Sequence, residues 1–335
     1  MSSKPSSRKG YARKLRWFLA GSLLVALLLL GFADLVFNLR SNVFYWLFHQ
    51  TTKPLLVKSA QGAWRPISAF STTELDHAFV KKAESHGMTW RTLAVKRQAD
   101  HWYEHLLQFL FTSKIGVLEI SPEQYEMKTS FLDQFALTTA KERIQTESAN
   151  FAITANFRDP AGKPLGLVVH EGVSVNRSFP AWTGYFFVKA GKPWFGPKSL
   201  FEETPGVLQE ASQGYPSLLK NHTVFSYVDL APNKNFDGNK ITYRALAGMR
   251  QNGTLVFLLS GNGGLMNVSE VATLAQKLNV QHATLLDGGK ALQYSLRIPG
   301  YTHHFTAFNT WLDLDHKDLE PQRSPVFLIA KSMTK

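Results

Sequence analysis

Leu255-Val256-Phe257-Leu258-Leu259-Ser260, Gly261-Asn262-Gly263-Gly264 and, beyond a helix, Ala283-Thr284-Leu285-Leu286-Asp287-Gly288-Gly289 decide the reading of this chain. The first run is short and apolar, as a buried strand is. The glycines break it. Val271, Leu274, Ala275 and Leu278 then recur at i, i+3, i+4 and i+7, so they share one helical face. Asn267 is placed as the N-cap, with Glu270 three residues on as in a capping box. The second apolar run is another strand, and it ends at Asp287, where two glycines permit a tight turn. A carboxylate there is either aimed into a cleft or bonded to its own backbone in a turn, and these residues alone leave both readings open.

Working outward, the 335 residues suffice for one large domain or two smaller ones. There is no cysteine, which excludes a disulfide framework, a zinc–thiolate site and a cysteine nucleophile. Half of the net charge of +12 comes from Lys4, Arg8, Lys9, Arg13, Lys14 and Arg16, with no acid among residues 1–16. The rest is diluted over the remaining chain, which argues against a nucleic-acid partner.

Trp17–Phe37 is almost wholly apolar, and its 21 residues reach roughly 30 Å as a helix, the thickness of the hydrocarbon core. A cleaved signal peptide would have a shorter apolar region and a small-x-small cleavage site. Gly31-Phe32-Ala33 is a poor one, and apolar Val43–Phe48 continues beyond it. An uncleaved signal anchor is therefore expected in the lipid bilayer. The basic residues before it keep the N-terminus cytoplasmic and send the main domain to the periplasmic or extracellular side.

The expected organisation is a basic tail (1–16), the anchor (17–37), a membrane-proximal linker and helical region (38–110) and a globular domain (111–335). Thr51–Gln61 reads as linker, and Glu74–His86 and Arg91–Phe111 as helices. Ile115–Ile120 reads as a strand with Tyr125–Thr129 as its hairpin mate, and Phe135–Glu142 as a short helix. Strands are expected at Phe151–Ala155, Leu167–Val169, Tyr185–Lys189, Leu218–Leu219, Ala245–Met249, Phe305–Leu312 and Val326–Ala330. Without regular βαβ alternation this is an α+β chain, expected as a single mixed sheet with packed helices behind the anchor.

Few motifs carry chemistry. No nucleophile elbow, Walker loop, zinc-protease helix or dinucleotide fingerprint is present. Gly261–Gly264 joins a strand to a helix N-terminus, as a phosphate cradle would, but lacks the lysine and hydroxyl of a P-loop; a plain connection is the other reading. Asn233–Gly238 opens like a calcium loop, yet its twelfth position is Arg244 instead of glutamate. His101 and His105 lie four apart on a helix without an acidic third ligand. Arg244, before the apolar strand at 245–249, calls for a carboxylate, a phosphate or water at its guanidinium.

The order of these pieces resembles the phosphodiester glycosidase family, the domain shared by bacterial exopolysaccharide-associated proteins and the enzyme that uncovers mannose 6-phosphate by removing N-acetylglucosamine. The resemblance runs from about Lys114 to Tyr294. It rests on Leu286-Asp287-Gly288-Gly289, on Arg244 with Gly248 and Asn252-Gly253, on Gln213, Pro216 and Leu218, and on Pro164-x-Gly166-Leu167 with Gly172. Phe151–Phe157, Asn176 and Gly184-Tyr185-Phe186 keep the family's order. Thr154, Asn156 and Tyr215 depart from its usual asparagine, glycine and glycine, and Ala291 and Leu292 stand where serines usually follow the turn.

The resemblance implies hydrolysis of the bond between an anomeric carbon and a phosphodiester. It implies Arg244 on the phosphate, Asp287 as the carboxylate at the anomeric centre, and Gly288 and Gly289 letting backbone N–H groups approach the ligand. Asn156, Asn176 and Gln213 would bind sugar hydroxyls, and His170 and Glu171 would supply a second acid or base. No metal ligands are assigned, and a divalent ion between Asp287 and phosphate is left open. The expected partner is a glycan or glycosyl phosphate of the cell envelope or an exopolysaccharide. The competing expectation is a catalytically inactive glycan-binding or envelope-assembly protein on the same fold.

Overall fold

In a computed structural model the chain is described over residues 7–224, 236–307 and 323–333, with only the backbone at 7–13 and 35–37. Helices α1 (Ser7–Phe37) and α2 (Leu39–Phe48) come first, followed by β1 (Leu55–Lys58), β2 (Trp64–Pro66), α3 (Thr72–Ala78), β3 (Val80–Ser85), β4 (Met88–Arg97) and α4 (Trp102–Leu110). Next come β5 (Ser113–Ile120), β6 (Tyr125–Phe131), α5 (Ala140–Glu147), β7 (Phe151–Thr154), β8 (Val168–His170), β9 (Val173–Asn176), β10 (Gly184–Lys189) and β11 (Lys192–Pro197). Then follow α6 (Lys198–Glu203), β12 (Leu208–Gly214), β13 (Ser217–Lys220), β14 (Thr223–Val224), β15 (Ala245–Met249), β16 (Leu255–Ser260) and α7 (Val268–Lys277). The last are β17 (His282–Leu285), β18 (Gln293–Ile298), β19 (Tyr301–Thr306) and β20 (Val326–Ser332).

The α+β class is what the chain forms. The described strands divide among three sheets instead of one, and every described pairing of named strands is antiparallel. The largest sheet runs β14-β13-β17-β15-β16-β5-β4-β1-β2, with β3 also on β4. The others run β11-β10-β12-β8-β9 and β19-β18-β7-β20-β6. The centre of the large sheet, β15, β16 and β17, is buried on both faces, which explains the unbroken apolar run of β16. Leu255, Phe257 and Leu259 point into a core shared with the two smaller sheets. Val256 and Leu258 point into a second core under α7.

Helix α7 carries the capping box its sequence predicts: Glu270 N–H donates to Asn267 Oδ1 (2.9 Å), and Asn267 N–H donates to Glu270 Oε2 (3.0 Å). Its buried face is Val268, Val271, Ala272, Leu274 and Ala275. Full burial of each larger side chain stabilises the fold by roughly 1.5–3 kcal/mol.

The membrane-proximal region differs most from expectation. Residues 55–97, expected to be linker and helical, place β1, β2 and β4 in the large sheet, and of the expected helices only 74–78 and 102–110 are helical. Strand β4 buries Met88, Trp90, Leu93, Val95 and Arg97 between β5 and β1, and this non-local pairing makes it strand. Arg97 locks the region to α7: Nη1 and Nη2 donate to Glu270 Oε1 (2.6 Å) and Oε2 (2.5 Å), and Nη2 also donates to the Leu265 carbonyl (2.8 Å).

Strand β6 pairs with β20 and not with β5, because the turn at 121–124 carries the chain from one sheet to another. The helix expected at Phe135–Glu142 starts later, at Ala140. Only Tyr301–Thr306 is strand near the expected Phe305–Leu312, and residues 308–322 lie outside the described residues.

Helix α1 contains one stretch, Lys14–Asp34, long and apolar enough to cross a membrane, with none of it buried in the body. The aromatic run after it forms α2, which docks on the body: Phe44 and Phe48 enter the main core, and the Tyr243 hydroxyl donates to the Ser41 carbonyl (2.8 Å).

Candidate functional site

Strands β15 and β17 are antiparallel neighbours, with Leu246 opposite Leu285. The residue before β15 and the residues after β17 therefore meet at one sheet end. Leu286 N–H donates to the Ala245 carbonyl (3.0 Å), and Gly289 N–H to the Tyr243 carbonyl (2.7 Å). Arg244 and the Asp287-Gly288-Gly289 turn are thus brought side by side. A Cβ on Gly288 would lie 2.8 Å from the Tyr243 carbonyl oxygen, so this approach admits only glycine. Gly289 has φ +61°, the left-handed region glycine favours.

The glycine loop after β16 supports Arg244 from behind. Arg244 N–H donates to Ser260 Oγ (2.8 Å), and Ser260 Oγ donates to the Gly264 carbonyl (2.7 Å). Asn262 Oδ1 accepts from Ser41 Oγ of α2 (2.6 Å). The loop is a connection against α2, with Gly263 and Gly264 buried.

The Arg244 guanidinium is buried beside a cavity of about 280 Å³. Its Nη2 donates to the carbonyls of Asp237 (3.0 Å) and Lys240 (2.9 Å), Nε contacts the Met266 carbonyl (3.4 Å), and the group lies 5.3 Å from the Phe236 ring centre. Its Nη1 makes no hydrogen bond among the described residues, nor does the guanidinium have a carboxylate within ion-pair distance there. Burial lowers its pKa from 12.5 to about 10, opposed by the charges of Asp237 and Tyr45. A desolvated cation with spare donors at a cavity wall is an anion site by its chemistry.

Besides Arg244, the cavity is lined by Lys240, Lys290 and Asp237, by the rings of Tyr45, Phe157, Tyr215 and Phe236, and by Leu286, Gly288 and Gly289 among others. Cations outnumber the one acid, and four aromatic faces suit the apolar side of a sugar ring. The volume lies near the lower end of the roughly 300–1,000 Å³ usual for ligand pockets. Asp287 is buried behind this wall, its N–H donating to the Ala155 carbonyl (3.1 Å). Burial pushes its carboxyl up to about 7, against the Gly288 N–H and the Arg158 charge, which both pull it down.

The other sequence candidates fall into two groups. Asn156 and Gln213 are buried and used by the protein itself. Asn156 Nδ2 donates to the Leu165 and Gln213 carbonyls (3.0 and 3.2 Å), and its Oδ1 accepts from Ser212 Oγ (2.7 Å). Gln213 Oε1 accepts from the N–H groups of Leu167 (3.0 Å) and Phe179 (2.8 Å), and Nε2 lies 2.9 Å from the carbonyls of Phe179 and Trp182. Asn176 Nδ2 donates to the Pro164 and Gly166 carbonyls (2.9 and 2.8 Å). These amides hold the loops around β12 and β8, and none lines the Arg244 cavity.

His170 and Glu171 line a different cavity with Thr129, Phe131 and Lys331. There His170 Nδ1 sits 3.2 Å from Glu210 Oε2. No group of three or more His, Asp or Glu side chains suited to a metal occurs among the described residues, which include His101 and His105. Of the calcium-like stretch, residues 233–235 lie outside the described residues, while Phe236 and Asp237 line the Arg244 cavity. Sequence reasoning did not reach Tyr45, Phe157, Tyr215, Lys240 or Lys290 as pocket residues. Only Lys290, directly after the glycine pair, carried a signal.

Comparison with known proteins adds three findings. Residues 147–310 match the family described as phosphodiester glycosidase. No curated protein matches the sequence. Among solved structures, the chain is similar to the catalytic domain of zebrafish N-acetylglucosamine-1-phosphodiester alpha-N-acetylglucosaminidase, auto-inhibited by its pro-peptide. The TM-score is 0.56 at 15% identity, over 76% of this chain and 86% of that one. It is also similar to a hypothetical protein from Synechocystis, with TM-score 0.49 at 11% identity over 75% of this chain and 63% of that one.

Proposed function

We propose that the chain is a membrane-anchored hydrolase that cleaves sugar-1-phosphodiesters of envelope or exopolysaccharide glycans, a reading supported by the match of residues 147–310 to the phosphodiester glycosidase family. The observation that carries this reading is the spare Nη1 of buried Arg244, set at a cavity with Lys240, Lys290 and four aromatic rings. Arg244 would bind the phosphodiester anion through that nitrogen, and the rings would hold the sugar.

Water adds to the anomeric carbon, the bond from that carbon to the phosphate oxygen breaks, and the phosphomonoester leaves with the bonding electron pair. Phosphate is a good leaving group, so the reaction needs little acid assistance. Asp287, poised near neutrality by burial, would take the proton from the attacking water as its carboxylate. Asp287 belongs to no group of three metal-ligating side chains among the described residues, so no step is assigned to a divalent ion.

In this reading Trp17–Phe37 spans the bilayer, the basic tail stays in the cytoplasm, and the body faces the periplasm or the exterior. One observation favours the non-catalytic alternative: Asp287 sits behind the cavity wall and does not form part of it. The two readings separate when the purified full chain in detergent is given a panel of methyl glycosyl phosphodiesters. Release of free sugar by the wild type, lost in Asp287→Asn, supports hydrolysis. Saturable binding without release by either protein supports the binding reading.

A further inference from the structure

Helix α4 has no buried residue, and its face is apolar where it meets solvent: Trp102 is 75% and Phe109 85% exposed, and Leu106 and Leu110 share the same side. Both ends of α4 are tied to α2. Lys53, just past α2, pairs with Asp100 before α4 (3.1 Å), and Arg40 in the first turn of α2 lies 5.6 Å from the ring centre of Phe111, which ends α4. The two helices therefore run side by side in opposite directions. On α2, Trp46 is 73% exposed. Only Asn38 separates α2 from α1, and that junction is fixed: Asp34 accepts from Arg40 N–H (2.8 Å) and pairs with its guanidinium (2.6 Å).

We propose that the face shared by α2 and α4 seats in the headgroup region of the bilayer. The proposal rests on α1 being the membrane span. Three observations select lipid as the occupant. The face begins within one residue of the end of the apolar helix, and the Asp34–Arg40 pair between them sits where a headgroup layer would meet it. Its exposed residues include two tryptophans, with Tyr103 beside them, the residue types that settle at membrane–water boundaries. The cavity at the foot of α1, about 520 Å³, is lined by Arg40, Lys82 and Lys114 against the single acid Asp34, which matches an anionic headgroup layer. Seating this face also sets the candidate cavity beside the membrane, because Tyr45, one of its walls, adjoins Trp46 on α2.

The absence of native cysteine allows single-site labelling of the full chain. Phe109→Cys and Trp102→Cys, both at exposed positions, carry a nitroxide in liposomes of phosphatidylcholine and phosphatidylglycerol. Leu27→Cys reports the span, and Val207→Cys, 80% exposed on the body, reports water. Collision with dissolved oxygen and with a water-soluble nickel complex is measured at each site. At 102 and 109 the oxygen-to-nickel ratio is expected to lie between the two references, several-fold above that at 207 and below that at 27. A water-like ratio at 102 and 109, with 27 in lipid, overturns the seating and leaves the span standing. Shielding of 102 and 109 from both reagents overturns it in favour of a protein cover, such as a second copy. A water-exposed label at 27 overturns the spanning premise and the seating together.

Discussion

Asp287→Asn should change the pH dependence of stability in a direction fixed by the burial of this carboxyl. Its pKa is lifted from 3.8 to about 7 in the folded protein, chiefly by desolvation. A raised folded-state pKa means that the stabilising contribution is complete below the unfolded value and is lost as pH rises through about 7. At about 1.4 kcal/mol per pH unit, the wild type should lose up to about 4 kcal/mol between pH 4 and pH 8 through this group. Asparagine does not titrate and keeps an acceptor for the Gly288 N–H. The stability of the variant relative to wild type should therefore climb by that amount over the same window, whatever constant offset the substitution adds. Urea unfolding of both full chains in neutral detergent, followed by tryptophan fluorescence at several pH values, measures the difference, in which all other titrating groups cancel. A difference that stays flat from pH 4 to pH 8 would refute the desolvation reasoning.

Four other outcomes follow from named contacts. Arg244→Met should weaken binding of a methyl glycosyl phosphodiester roughly 10- to 100-fold, the worth of a charge-assisted hydrogen bond, as read by calorimetric titration. Gly288→Ala places a Cβ against the Tyr243 carbonyl and should cost about 1–3 kcal/mol in urea unfolding. Gln213→Ala strands the buried N–H groups of Leu167 and Phe179 and should lower stability by about 2–5 kcal/mol, while the KM of the protein that still folds is unchanged; a raised KM would return Gln213 to the ligand. Glu270→Gln leaves Arg97 buried without its counter-charge and should cost about 3–5 kcal/mol in the same unfolding assay.

The elements around Leu255–Gly289 were legible because local and global signals agree there. Apolar runs of strand length, a capping box and glycines at tight approaches all point to the same structure. Strand β4 was taken into the helix that follows it, and its pairing with β5 and β1 decides otherwise. The site was legible in part. Arg244, Gly288 and Gly289 meet because adjacent strands bring their ends together. Asn156 and Gln213 were read as sugar ligands because an amide that clamps buried loops and an amide that binds a hydroxyl are the same residue type; burial separates them, and a sequence does not display it. Tyr45 was out of reach because it comes from a helix some 200 residues away, placed by docking contacts such as Tyr243 to Ser41.

The central claim is that the Arg244 cavity binds a glycosyl phosphodiester and that the bond at the anomeric carbon is the one broken. Turnover of a methyl glycosyl phosphodiester in ¹⁸O water, followed by phosphorus NMR, tests it directly. The account predicts that the full chain releases methyl phosphate free of ¹⁸O together with the sugar, and that Arg244→Met does so far more slowly. Label in the phosphate, or equal release by wild type and Arg244→Met, would contradict it.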